Sequence, residues 1–186
     1  ALVALLREKY VGISLDVVLV SDNAALDFVR RHREQILPGV PLVFCGINGV
    51  EGQRLADDDA VTGVLERTEP AATAELARTL RPELKRLVVV GDRTATGEAE
   101  MARAREALGD AYQGIAVEYW SDLDMPTLAD RLSELDRDGD AVLLTVFNRD
   151  AAGRYWTYQQ SAERITAASS APVFSLWDFY LGTGVL

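Results

Sequence analysis

The sequence predicts an α/β protein whose strands run parallel and are flanked by helices, and three observations carry that expectation. Leu87–Val90 is an unbroken aliphatic run, the pattern of a strand buried on both faces. Gly91-Asp92 breaks the run and leads into a helical stripe of Gly97, Met101, Ala104 and Leu108, which Gly109 is placed to end. The same strand–loop–helix alternation recurs in two blocks, one before about Thr68 and one after about Ala71.

Taken in order, Ala1–Tyr10 reads as a helix, with Leu2, Leu5, Leu6 and Lys9 at helical spacing and Gly12 beyond its end. Leu15–Val20 is the first strand and Ser21-Asp22-Asn23 its exit loop. A helix over 24–36 buries Ala25, Leu26, Val29 and Ile36. Pro38-Gly39 turns into a strand over Pro41–Cys45, which exits through Gly46-Ile47-Asn48-Gly49. A sheet of this class rarely opens on a helix, so a leading strand is expected to lie outside this chain. Glu51–Asp59 is polar and irregular, Val61–Leu65 reads as a short strand or an extended crossover, and Pro70 suits the first turn of a helix over 71–80. In the central unit Thr94 or Thr96 caps the helix after Asp92. Ile115–Tyr119 is a strand that exits at Trp120-Ser121-Asp122. Asp124 then starts a helix with Met125, Leu128, Leu132 and Leu135 on one face. Ala141–Val146 is a strand with the exit loop Phe147-Asn148-Arg149-Asp150, and 158–168 is helical. Ala171-Pro172 returns the chain to a strand, Val173–Leu176, followed by Trp177-Asp178.

A chain of 186 residues suits one large domain or two small lobes. The formal net charge of -10, with arginines scattered beside acids as on a solvated surface, excludes a nucleic-acid partner. A single cysteine, Cys45, rules out an internal disulfide or cysteine metal cluster, and its apolar run predicts that it is buried. No apolar run approaches the ~20 residues of a membrane span, and no signal peptide begins the chain. The first residue is not Met, so these residues are expected to be a piece of a longer protein.

Gly91–Gly97 lacks the Gly-Lys-Ser/Thr ending of a phosphate loop, and Glu98 and Glu100 put negative charge where a phosphate would sit. His32, the only histidine, lies at the edge of an apolar helical face and on no exit loop, which weakens any enzyme reading that needs one. The expectation is a non-enzyme with no cofactor and no metal. Asp92, Asp150 and Asp178 follow strand ends, where carboxylates could gather for acid–base work or a cation. Capping and loop hydrogen bonding is the simpler account of each. Trp120, Phe147, Trp156 and Trp177 lie at or near strand exits, as expected around a small-molecule site, although core packing accounts for each tryptophan taken singly.

With Phe44-Cys45-Gly46-Ile47-Asn48, Gly63-Val64-Leu65-Glu66 and the stretch Ala171–Gly182, the chain resembles the type I periplasmic-binding-protein-like domain of ABC-transporter substrate-binding proteins. It is most similar to the versions that serve as extracytoplasmic sensors of membrane histidine kinases, in two-component signal transduction, and of diguanylate cyclases. The resemblance implies two Rossmann-like lobes, parallel sheets flanked by helices, with a ligand cleft between them. Lobe 1 would span 1–68, lacking its first strand and truncated at both chain ends. Lobe 2 would span 69–170, and 171–186 would return to lobe 1. Ligand contacts would come from Asp22, Asn23 and Asn48 of lobe 1, Asp92, Thr94, Asn148 and Asp150 of lobe 2, and Trp177 and Asp178 of the return. The implied function is binding without chemistry, signalled by lobe closure, with a kinase or cyclase output domain outside this chain. A free solute-binding protein of an importer is the alternative, then a cytoplasmic repressor's effector domain, then an α/β enzyme. The sensor reading expects an extracytoplasmic domain without membrane contact of its own, tethered to the inner membrane, with a homodimer as one option for the full-length protein. Aromatics with carboxylates and amides suit an amino acid or a small amine as ligand.

Overall fold

The computed structural model describes residues 1–48, Asn48 by its backbone alone, and 60–186. They form two compact units, Ala1–Arg67 and Thr68–Leu186. Gly49 and the polar segment expected over Glu51–Asp59 lie outside the described residues.

Unit 1 contains α1 (Leu2–Tyr10), β1 (Val18–Ser21), α2 (Asn23–Ile36), β2 (Leu42–Asn48) and β3 (Val61–Glu66). The three strands are parallel in the order β1-β2-β3. Leu26 of α2 packs with Val20, Leu42, Phe44 and Ile47 on one face of this sheet. β1 begins later than the apolar run because its pairing starts at Val18↔Leu42, and Val17 is exposed. β2 runs on past Cys45 because Gly46, at φ 64, takes up an irregularity in register between Phe44 and Ile47. Gly63 is required where it stands: a Cβ there would overlap the carbonyl and ring of Phe44.

The expectation that Cys45 is buried is corrected, because it is exposed. It pairs with Ser21 and alternates with buried Phe44, so it points to the sheet face away from the core. That face is bare among the described residues, with Leu19 76% and Val64 69% exposed. The apolar run signalled a strand covered on one side only.

Unit 2 contains α3 (Pro70–Leu80), β4 (Arg86–Val90), α4 (Ala95–Leu108), β5 (Ala111–Tyr112), β6 (Ile115–Trp120), α5 (Met125–Ser133), β7 (Asp140–Leu144), α6 (Tyr158–Ala168) and β8 (Val173–Ser175). Strand order is β5-β6-β4-β7-β8, parallel except for β5. The short β5 escaped sequence reading; it forms a hairpin with β6 through Gln113 and Gly114, both at positive φ. Val88, Val90, Val142, Leu144 and Val173 bury one face under α5 and α6. Leu87, Val89, Ala141, Leu143 and Phe174 bury the other under α3 and α4. The double burial expected of Leu87–Val90 is observed.

The expected return of 171–186 to the first lobe is corrected. β8 pairs in parallel with β7, Val142↔Val173 to Leu144↔Ser175, in the same sheet as β4. Val173 and Phe174 divide between the two cores of that sheet, so the run after Pro172 is its edge strand. Arginines are also not uniformly solvated. Arg86, at the head of β4, donates from Nε to Asp140 Oδ1 at 2.9 Å and from Nη1 to Glu118 Oε1 at 3.2 Å.

Candidate functional site

The chain runs from β4 to β6 on one side, then crosses back to place β7 on the other. Strand order therefore reverses at β4, and in open α/β sheets ligands are met outside the carboxyl ends at such a point. The loops after β4, β6 and β7 come together there, and Asp92 ties two of them.

Asp92 is 1% exposed. Its Oδ1 accepts from the Thr94 N–H at 3.0 Å and the Thr94 hydroxyl at 2.6 Å. Its Oδ2 accepts from the backbone N–H groups of Asn148 at 2.7 Å and Arg149 at 3.0 Å, across the sheet. A carboxylate is able to satisfy four donors at once, and burial without them would cost several kcal/mol. Gly97 permits this closeness, since a Cβ there would overlap Asp92 Oδ1. Thr94 also caps α4, its Oγ1 accepting from the Gly97 N–H at 3.1 Å.

Asp150 repeats the device within the β7 exit loop. Its Oδ1 accepts from the Arg154 N–H at 2.9 Å, and its Oδ2 from the Trp156 indole at 3.2 Å and the Met125 N–H at 3.5 Å. The carboxylate thus sits on the first turn of α5, where the helix dipole favours negative charge.

Asn148 differs from both. Its backbone is fixed, donating to Asp92 and accepting from the Trp156 N–H at 2.9 Å, but its buried Oδ1 has no hydrogen-bond partner among the described residues. On the neighbouring strand exit, the buried Nε1 of Trp177 also has none. The Trp177 ring packs against the core and stacks on Phe179 with centroids 5.4 Å apart, and its backbone N–H donates to Ser175 Oγ at 3.0 Å. Asp178 is exposed and opens a 3₁₀ turn over Asp178–Tyr180. Tyr180 is fully buried; its hydroxyl accepts from the Phe147 N–H at 3.4 Å, and burial pushes its pKa upward. Of the aromatics, Phe147 belongs to the core, whereas Trp156 is half-buried with Arg164 over its ring at 4.6 Å.

In unit 1, Asp22 is exposed at φ 78, with its N–H donating to Cys45 O at 3.3 Å, and Asn23 begins α2. Asn48 ends β2 opposite Glu66.

A hollow of about 170 Å³ opens among the exits of β4, β6 and β7, lined in part by Arg93, Ser121, Asp122, Arg149 and Asp150. Two wider depressions lie elsewhere. One of about 520 Å³ is walled by Tyr10, Ile36 and Pro38 at the amino ends of the unit 1 strands. The other, about 710 Å³, lies beside Arg81, Ser169 and Ser170 at the amino ends of β4, β7 and β8. There both serine hydroxyls donate to backbone carbonyls at 2.7 Å. Position at the carboxyl ends of the strands favours the smaller hollow.

Among the described residues no group of three or more His, Cys, Asp or Glu is placed to hold a metal ion. No described helix is long and apolar enough to cross a membrane.

The sequence matches no family model and no curated protein. Solved structures do share its architecture. A conserved domain protein from Vibrio cholerae O1 biovar eltor aligns at a TM-score of 0.62 with 18% identity, over 99% of this chain and 60% of that one. The ABC domain from Streptococcus pneumonia, in complex with L-Trp, aligns at 0.57 with 18% identity, over 99% and 62%. An extracellular ligand-binding receptor from Verminephrobacter eiseniae aligns at 0.50 with 18% identity, over 93% and 48%. The chain thus spans about three fifths of the first two and half of the third. At these identities the likeness establishes the fold alone: parallel α/β sheets flanked by helices.

Proposed function

We propose that this chain is the ligand-binding part of an extracytoplasmic sensor and takes up a small molecule at the carboxyl ends of the unit 2 strands. One observation carries the reading. A buried acceptor, Asn148 Oδ1, and a buried donor, Trp177 Nε1, have no partners among the described residues, on adjacent strand exits. Buried polar atoms of this kind are nearly always paired, and here a ligand's polar groups would pair them. Asp92, Thr94 and Asp150 then act as positioning residues, because their side chains are spent on holding the loops. Asp178 borders the site. An amino acid or small amine is the proposed ligand class, and L-Trp in the Streptococcus structure supports that choice. Occupancy would be reported by closure of the two units on the ligand, to an output domain beyond this chain. A free solute-binding protein would share the binding step and differ in its partner, which flanking membrane spans or a lone signal peptide would tell apart.

The test is a thermal-shift screen with the twenty L-amino acids, their amides and their decarboxylated amines, followed by calorimetry on Trp177→Phe, Asn148→Leu and Asp178→Asn. Trp177→Phe keeps an aromatic ring for stacking on Phe179 and removes the indole N–H together with the rest of the pyrrole ring. Each of the first two substitutions should weaken binding about tenfold with the ligand-free melting temperature little changed, and Asp178→Asn should weaken it less. Unchanged affinity in both Trp177→Phe and Asn148→Leu would remove this end of the sheet from the site. Small-angle scattering should show a smaller radius of gyration with ligand, and an identical profile would count against closure.

A further inference from the structure

The hollow among the β4, β6 and β7 exits has an uneven charge arrangement. Asp150 lines it but is spent on three N–H donors. Arg93 is balanced by two acids, Asp122 at 3.5 Å and Glu98 at 3.7 Å. Arg149 has no carboxylate partner among the described residues. Its guanidinium lies over the Tyr155 ring, 5.2 Å from the centroid, which orients it without neutralising it. Its backbone is pinned by the N–H it donates to Asp92. Across the hollow, the half-buried Ser121 contributes a hydroxyl with no hydrogen bond among the described residues. At ~30 Å³ per water, the space equals roughly five or six water volumes. That is too small for a whole drug-sized ligand, for which ~300 Å³ is a lower bound. It suits a ligand's charged head.

Resting on the ligand-binding reading above, we propose that this hollow is the subsite for a carboxylate, with Arg149 supplying a two-pronged donor and Ser121 a hydroxyl. Arg fits a planar carboxylate bidentately, which a lysine cannot do. Asp122, held by Arg93 at the same rim, stands ready for an ammonium group. The ligand class is therefore an α-amino acid or another small organic acid carrying a free carboxylate, and not a simple amine. Gly153 lines the same hollow at φ 79, a backbone conformation that glycine adopts without strain.

The experiment is calorimetric titration of each L-amino acid that binds in the thermal-shift screen, alongside its primary amide and its decarboxylated amine. Proteins carrying Arg149→Met and Arg149→Lys are titrated in parallel. Arg149 is exposed, so both variants should fold as the parent does. The acid should bind at least tenfold tighter than its amide or amine, and Arg149→Met should lose about ten- to thirtyfold in affinity for the acid only. Arg149→Lys should fall between, and the acid's affinity should weaken as salt rises. Amides or amines binding as tightly as the acids would overturn this inference while leaving the ligand-binding reading intact. So would an acid that binds Arg149→Met unchanged. Failure of every compound to bind would overturn the ligand-binding reading, and the inference with it.

Discussion

Asp92 shows how a residue at the right address takes on a different task from the one its address suggests. Its position after a buried strand was readable, but the N–H groups of Asn148 and Arg149 that saturate it lie 56 and 57 residues away in sequence. No local pattern announces such a partnership. Removing the acceptor leaves buried donors unpaired, so Asp92→Ala should cost about 2–4 kcal/mol in chemical denaturation. Asp22 is the opposite case, an exposed side chain on a backbone at φ 78 that glycine would adopt without strain. Asp22→Gly should raise stability by about 0.5–1 kcal/mol by the same assay, and a loss would mean that the side chain holds the turn. Cys45 is exposed where its apolar run predicts burial, because such a run does not reveal how many faces of its strand are covered. Being exposed, Cys45→Ser should move stability by no more than about 0.5 kcal/mol.

At the scale of elements, the periodic segments were the legible ones. The helices over Pro70–Leu80, Ala95–Leu108, Met125–Ser133 and Tyr158–Ala168 lie within a residue or two of their capping and apolar signals. Thr94, Asp124 and Thr157 cap as their residue types favour. Strand partnership was not legible. The Val173–Ser175 run carries the same pattern whichever sheet accepts it, and only pairing with β7 decides. The Arg86–Asp140 contact, which joins the amino ends of β4 and β7, was hidden for the same reason. Burial works against the Asp140 carboxylate, but the Arg86 guanidinium and the Asp136 N–H outweigh it and hold its pKa below the ordinary 3.8. A depressed folded-state pKa contributes stability above the unfolded value, and that contribution is lost as pH falls through the folded one. The parent should therefore lose stability steeply below pH 3.8, whereas Asp140→Asn should start about 1–2 kcal/mol lower at neutral pH and decline less. Parallel acid slopes would show that other groups govern the fall.

Over the whole molecule the two units are unequally built. The unit 2 sheet is covered on both faces, whereas among the described residues of unit 1 a cluster of Val20, Leu42, Phe44 and Ile47 packs with Leu26 of α2 on one face of its sheet. Hydrogen exchange should find the amides of Val88 and Val142 opening only with global unfolding of unit 2, and those of Val20 and Phe44 exchanging faster. Equal protection would mean that unit 1 draws stability from contacts beyond its own core. The bare face also governs how the protein behaves in bulk solution. With a net charge of -10 and an isoelectric point near 4.6, mutual repulsion keeps molecules apart at neutral pH despite the apolar side chains of Leu19 and Val64. Acidification towards the isoelectric point removes that repulsion while the sheet stays folded, so turbidity should set in before any loss of circular dichroism. Replacing Leu19 and Val64 by lysine should keep the acidified solution clear, because contact between the uncovered sheets is what clouds it.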